Sequence, residues 1–268
     1  MPAITSPKNQ VIKLAALLVS SSRERRESGL FVAEGARLTA EALNSSRVRI
    51  KYLLASEKGR ALLLEQCKIM GLAEPQGIIE IDEALSKKIS DTKTPQGVFA
   101  VCEGSLTADE PSPDILWGCL ILCSLADPGN VGTILRSADA FGLSQVVLTP
   151  DCPQPSSPKV LRASMGAAFR VEMAVSTAEE AVGFYKSRGR GVYAASLSKR
   201  AHSLKDVKLE GAAVLIGNEG AGLGAHLIDM CDGEVFIPIS KESESLNAAM
   251  AATIFCYEMG RLAKGGAT

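Results

Sequence analysis

The chain alternates between two hydrophobic periods. Val11, Leu14, Ala15, Leu18 and Val19 recur at i, i+3, i+4, i+7 spacing and predict a helix over 7–22. Short apolar runs at Leu30–Ala33, Lys51–Ala55, Ile78–Ile81 and Gly97–Cys102 predict strands, with helices over 35–45, 57–70 and 82–89 between them. A polar stretch twice broken by proline, Glu103 to Asp114, then interrupts the pattern as a linker would. Beyond it come more apolar strands at Gly118–Leu125, Gln145–Leu148, 171–175, Gly191–Ala195, Ala212–Ile216 and Glu234–Ile237. Helices are predicted over 130–141, 158–168, 177–188 and about 246–263. Strands apolar on both faces, alternating with helices, predict an α/β fold with a largely parallel sheet. The expected organisation is a domain at 1–103, a linker at 104–114 and a second domain at 115–268.

Composition narrows the class. The 268 residues are 46% hydrophobic and 22% charged, which excludes a disordered chain, a collagen and a disulfide-stapled mini-protein. Aromatics are only 4%, so aliphatic side chains must fill the core. The net charge of −1 conceals an asymmetry: residues 1–60 hold 11 Lys and Arg against 5 Asp and Glu. A basic N-terminal part suits a polyanionic partner, although a solvated surface explains it equally well.

Seven cysteines, an odd number without a CxxC pair, argue against a disulfide framework and a zinc site. The two histidines, His202 and His226, lie outside any motif, so neither a metal nor a histidine base is expected. Residues 1–13 lack the apolar core of a secretory signal, and no apolar stretch reaches the ~18 residues of a membrane span. A reducing cytoplasm and no membrane partner are the expectations.

Three stretches carry candidate chemistry. Asp127-Pro128-Gly129-Asn130 leaves a buried strand through a turn, with Asn130 where a helix N-cap belongs. Arg136 falls about 140° from the Val131 stripe, on the polar face; a capping Asn and a solvated Arg are the plain alternative. In the second, Gly217, Glu219, Gly220 and Gly222 follow the strand Val214–Ile216, so backbone there could approach a ligand or merely turn tightly. This is neither a dinucleotide fingerprint nor a P-loop. The third runs from Ile237-Pro238 to Ser245-Leu246-Asn247, where Ser245 could cap the last helix. That helix is apolar almost all round from Leu246 to Tyr257, so it belongs in a core or at a subunit interface.

Together and in this order, the stretches resemble the SpoU (SPOUT) family of RNA ribose 2′-O-methyltransferases. Pro128 to Gly142 is similar to the family's NPGNxGxxxRxADAFG motif, with Asp127 in place of the usual Asn. Gly217, Glu219, Gly220 and Gly222 resemble its GxEGxG motif, and Ile237, Pro238, Ser245, Leu246 and Asn247 its IP…SLN motif. Ser157-Pro158-Lys159 and Arg162–Ala167 resemble a segment between the first two. More loosely, Glu34-Gly35 and Thr94–Gly97 resemble a small ribosomal-protein-like RNA-binding domain often fused in front.

The resemblance implies a SPOUT-type sheet with a C-terminal trefoil knot and S-adenosyl-L-methionine as cofactor. It implies that Gly217, Ile237 and Leu246 hold the cofactor through backbone groups, with Leu215 and Ser196 close by. It further implies methyl transfer to a ribose 2′-hydroxyl, with rRNA favoured over tRNA, by a homodimer whose site is completed from both chains. Arg136 matches the family's catalytic Arg. Because arginine stays protonated, its expected role is to stabilise the developing alkoxide and hold a phosphate. Asn130 and Glu219 would orient it, and Ser245 and Asn247 would position substrate and loop. Two other classes stay open: a non-catalytic RNA-binding protein of the same fold, and a nucleotide-dependent oxidoreductase with a divergent Rossmann sheet. The intact motif residues count against the first, and the missing early Gly-rich turn against the second.

Overall fold

A computed structural model describes residues 3–240 and 242–264, with side chains as far as Gly260. The chain divides into two compact units, Met1–Leu106 with Gln154–Arg170, and Thr107–Pro153 with Val171–Thr268. Elements are numbered along the whole chain.

The first unit contains α1 (Gln10–Ser20), α2 (Ser22–Ser28), β1 (Leu30–Glu34), α3 (Ala36–Asn44), β2 (Val48–Ala55), α4 (Glu57–Ile69), β3 (Ile78–Glu80), α5 (Glu83–Ile89) and β4 (Val98–Gly104). Its sheet has the order β1-β4-β2-β3, antiparallel except for the β2–β3 pair. The apolar stripe of α1 packs through Ile12, Ala15 and Leu18 against Val32, Leu54, Phe99 and Val101 of the sheet. Each fully buried Leu or Phe in such a core contributes roughly 1.5–3 kcal/mol. Hydrophobic periodicity does not reveal α2, because its sequence SRERRES has no apolar stripe; Ser21 caps it and Gly29 ends it in the left-handed region.

The segment Gln154–Arg170, with α7 (Pro158–Ser164), belongs to this unit rather than to the one whose sequence surrounds it. Arg162 makes two bonds to Asp91, at 2.7 and 3.0 Å, and Arg170 pairs with Glu41. Arg25 donates to Leu18 O at 2.7 Å and to Gln154 Oε1 at 3.1 Å. The sequence boundaries, which put all of 115–268 in one domain, miss this excursion because the contacts that fix it are distant in the chain.

The second unit contains β5 (Cys119–Leu122), α6 (Pro128–Phe141), β6 (Gln145–Leu148), β7 (Met173–Val175), α8 (Ala178–Lys186), β8 (Val192–Ala195), β9 (His202–Ser203), β10 (Ala213–Ile216), α9 (Ala225–Met230), β11 (Gly233–Phe236) and α10 (Ala248–Lys264). Its sheet has the order β7-β6-β5-β10-β8-β11-β9, and every ladder in it is parallel. The apolar runs β5, β6 and β10 are fully buried, as strands covered on both faces must be. Strand order departs in opposite directions from the β5–β10 pair, so the loops leaving these two strands diverge at neighbouring carboxyl ends. Open α/β sheets bind ligands at such a switch point. Part of the proline-broken stretch is also ordered against this sheet: Ala108 N donates to Met173 O at 2.8 Å, and Val175 N donates to Ala108 O at 3.3 Å.

All seven cysteines are free thiols, and burial pushes those of Cys102, Cys119 and Cys256 up to about 12. They act as small apolar side chains. Among the described residues, no helix is long and apolar enough to cross a membrane, and no group of three or more His, Cys, Asp or Glu could hold a metal ion.

Candidate active site

The loop after β5 enters α6 through a cap that differs from the expected one. Asp127 is the N-cap, its Oδ1 accepting from Gly129 N at 2.8 Å, and Pro128 fills the first helical position. Asn130 therefore lies inside the first turn, where it is buried. Its side chain is thereby free to reach other loops.

It joins two of them. Asn130 Nδ2 donates to Glu219 Oε1 at 2.7 Å, and Asn130 Oδ1 accepts from Asn247 Nδ2 at 3.1 Å. The amide orientation is dictated, since a carboxylate only accepts. Glu219 also accepts from the backbone N–H groups of Ala126 at 3.1 Å and Asp127 at 3.3 Å. Burial raises the Glu219 pKa, but the bonds from Asn130, Ala126 and Asp127 outweigh it and hold the carboxyl below its ordinary value.

Asn247, not Ser245, caps α10: its Oδ1 accepts from Ala249 N at 2.9 Å and Met250 N at 3.2 Å. An Asn at this position serves two loops at once, with its oxygen on the helix and its nitrogen on Asn130. Ser245 is exposed and lies two residues before the cap.

The Gly-rich loop after β10 doubles back on itself. Asn218 and Gly222 exchange backbone hydrogen bonds at 3.2 and 2.9 Å, and Asn218 Oδ1 accepts from Gly220 N and Ala221 N. Asn218 Nδ2 also donates to Ser124 O at 2.7 Å, where Ser124 adopts φ 55°, a left-handed conformation uncommon for a residue other than glycine. A Cβ on Gly217 would come within 2.5 Å of the Gly222 carbonyl carbon, so glycine is required there by the loop's own backbone. Asn218 and Ser124 escape the sequence motifs, although an Asn inside a Gly-rich turn is itself a turn-forming signal.

The Gly-rich loop and the approach to α10 border a cavity of about 430 Å³. Ser196, Gly217, Glu219, Ile237, Ser245 and Leu246 line it, together with Leu223 and Phe255. Leu215, expected near the cofactor, does not: it is fully buried in the sheet core beside Ile121 and Val147, because its strand position points it into the helix-covered layer. Arg136 is exposed on α6 and is not among the lining residues. Its neighbour Ser137 makes a 2.7 Å hydroxyl contact with Thr253 of α10.

A parallel sheet with a cavity at the carboxyl ends of β8, β10 and β11, closed by backbone-rich loops and polar side chains from three segments, defines a small-molecule-binding α/β protein. The chain belongs to the SpoU rRNA methylase family, whose model matches residues 119–257. Residues 9–100 match the MRM3-like substrate binding domain. The chain is 32% identical over 262 residues to the 23S rRNA (guanosine(2553)-2′-O)-methyltransferase RlmP of Bacillus subtilis, covering 97% of this chain and 99% of that one. Among solved structures, an AdoMet-bound rRNA methyltransferase from Sinorhizobium meliloti superposes with a TM-score of 0.83 at 28% identity, covering 97% of each chain. A TrmH-family RNA methyltransferase described as putative, from Porphyromonas gingivalis, superposes with a TM-score of 0.78 at 32% identity, covering 94% of this chain and 97% of that one.

Proposed function

We propose that this protein transfers a methyl group from S-adenosyl-L-methionine to a ribose 2′-hydroxyl of rRNA. One observation carries the proposal: Asn130, Glu219 and Asn247, from the three motif loops, form one hydrogen-bonded chain at the edge of the cavity. The names of the relatives support the substrate class, and the AdoMet-bound structure supports the cofactor.

The cavity fits that cofactor on its own terms. Ile216, Leu223, Ile237, Leu246 and Phe255 offer apolar faces to an adenine, and the backbone of 217–222 offers donors and acceptors to its edge and to a ribose. Gly217, Ile237, Leu246 and Ser196 are the proposed cofactor-binding residues. When bound, S-adenosyl-L-methionine supplies a methyl group already activated on a sulfonium.

The protein's task is then the alcohol. Arg136, a permanent cation, lowers the energy of the developing alkoxide and holds an adjoining phosphate. Asn130 and Glu219 fix the start of α6, on which Arg136 stands. Asn247 ties that turn to α10, and Ser245 lies at the mouth to position substrate. The C-terminal trefoil knot implied by the resemblance is part of the proposal.

The first unit, with its substrate-binding family match, serves to bring RNA to the site. Arg23, Arg26, Arg37, Arg49 and Lys51 are exposed on it, whereas Arg25 is buried and structural. A homodimer and a cytoplasmic location complete the proposal, the second in keeping with seven free thiols.

The test is calorimetric titration with S-adenosyl-L-methionine and with NAD, followed by mapping of 2′-O-methyl sites in rRNA from a deletion strain. Binding of the first cofactor alone and loss of one methylation mark are expected. Preference for NAD would favour an oxidoreductase, and an unaltered methylation map would favour a non-catalytic RNA-binding protein.

A further inference from the structure

One wall of the cavity, formed by Ala195, Ser196 and Leu197, lies at the start of a short crossing from β8 to β9. Both strands flank β11, whose Val235 and Phe236 line the cavity too, as does Ile237 just beyond it. Backbone bonds hold the crossing at its ends: Ser196 N donates to Val235 O at 3.1 Å and Leu204 N to Phe236 O at 2.8 Å. Between Ser196 and Ala201 the segment belongs to no strand or helix, before β9 begins.

A charge occupies the gap. Glu234 on β11 is a carboxylate only 6% exposed. Arg200, on the crossing, donates Nε toward its Oε1 at 3.2 Å. The neighbouring Ser198 and Ser196, and then Arg200, hold the Glu234 carboxyl below its ordinary value, and because its Oε2 is buried with no hydrogen-bond partner, the contact of Oε1 with Arg200 is the one that fixes it. Ser196 Oγ accepts from Ser198 N at 3.1 Å, and Ser198 Oγ from Arg200 N at 3.2 Å, which coils the crossing over the carboxylate. The Arg200 guanidinium also reaches Asp229 at 3.8 Å, at the protein surface.

We infer that Glu234 and Arg200 form a clamp that sets the position of Ser196 and Leu197 and so tunes affinity for the cofactor. Neither residue's charged group belongs to the cavity lining, which makes both positioning residues. A buried carboxylate on a strand is a fixed point, whereas Arg200 sits on the irregular segment and carries the wall with it. Breaking the pair therefore releases the wall without altering the chemistry at α6. The inference rests on the assignment of this cavity to S-adenosyl-L-methionine.

The experiment compares the full-length protein with Glu234→Gln, Arg200→Ala, Arg200→Lys and the double variant Glu234→Gln/Arg200→Ala. Cofactor Kd is measured by calorimetry, and kcat and both KM values on an rRNA fragment. Glu234→Gln and Arg200→Ala should each raise Kd and KM for S-adenosyl-L-methionine about tenfold, with kcat at saturation and KM for RNA within twofold of wild type. The double variant should be no worse than either single one, and Arg200→Lys should recover part of the loss. Should Glu234→Gln fail to fold, Arg200→Ala, altering a surface-reaching side chain, makes the same test. Unchanged cofactor affinity in a folded Arg200→Ala, or an equal fall in kcat, overturns the clamp. Failure of the wild type to bind the cofactor would instead overturn the assignment of the cavity.

Discussion

Asn130 and Glu219 lie 89 positions apart in the chain, yet the amide of one donates to the carboxylate of the other at 2.7 Å. The bond works because Asp127, rather than Asn130, caps α6. Asn130→Asp should therefore be more damaging than Asn130→Ala. Aspartate would place a second carboxylate at hydrogen-bonding distance from Glu219, and like charges so close cannot both be ionised without cost. The expected result is a larger fall in kcat and in unfolding midpoint for the Asp variant at pH 8, with partial recovery as pH is lowered. Equal behaviour of the two variants would mean that the pair carries no functional charge.

The same bond has a pH signature. The Glu219 pKa is lowered in the folded protein from its ordinary 4.5. A group with a depressed folded pKa adds stability above its unfolded value, and that stability is lost as pH falls through the folded value. Asn130→Ala removes one cause of the depression. Its unfolding midpoint should lie below wild type at pH 6–7, and the gap should narrow as pH falls below 4.5 and through the lowered folded value. A gap that stays constant with pH would assign the effect to packing alone.

Gly217→Ala tests the loop more sharply than a bulky substitution does. One added methyl already meets the Gly222 and Leu223 backbone at 2.5–2.7 Å, and backbone cannot swing aside as a side chain can. The loop must open, and cofactor affinity should fall at least about tenfold, read by calorimetry on protein whose folding is verified by circular dichroism. Gly220→Ala is the control. Its Cβ would meet only Asn218 Oδ1 at 3.6 Å, so affinity should change little.

Most of the architecture is legible in the hydrophobic pattern. The buried runs at β5, β6 and β10 and the stripes of α1 and α6 carry their periods plainly. The pattern fails where apolar period is absent or local chemistry is ambiguous. α2 has no stripe, β9 is two residues long, and α9 has no buried residue. The sequence points to Asn130 and Ser245 as caps where the structure uses Asp127 and Asn247, for a related reason. Several neighbouring residues can all cap a helix, and tertiary bonds choose among them. Gly217, Ile237 and Leu246, singled out by motif spacing, line the cavity, whereas Leu215, whose facing depends on strand pleat, does not. The placement of Gln154–Arg170 rests on pairs such as Arg162 with Asp91, which no local pattern encodes.

Arg136 is exposed on α6, with no hydrogen-bond or ion-pair partner among the described residues. Arg136→Ala should leave cofactor Kd within twofold while lowering methyl transfer by ~10²-fold or more, the scale for loss of a positioned charge stabiliser. Arg136→Lys keeps the charge and loses the planar fork, so it should restore only a small part of the rate if a bidentate phosphate contact matters. Retention of most turnover by Arg136→Ala would remove it from the reaction.

The outer side of α10 bears on the assembly. Met250 is 57% exposed and Tyr257 51%, with half-buried Ile254 between them at i, i+4, i+7 spacing. Tyr257 also meets Phe141 at the end of α6, ring centroids 5.6 Å apart. The opposite side, through Ala252, Phe255, Cys256 and Met259, is already buried within the unit. An apolar stripe on the helix that carries the Asn247 cap suits a two-fold contact with a second copy, the commonest closed arrangement. Arg136 stands one residue from Ser137, which touches Thr253 in this stripe's own helix, so the contact would run close to the proposed catalytic cation. Met250→Asp combined with Tyr257→Asp should yield a folded monomer, because two buried carboxylates facing their symmetry mates are strongly unfavourable. Methyl transfer should fall with the loss of the dimer. Sedimentation equilibrium at micromolar protein decides the matter: a monomeric wild type, or a dimeric double variant, would place the interface elsewhere or nowhere.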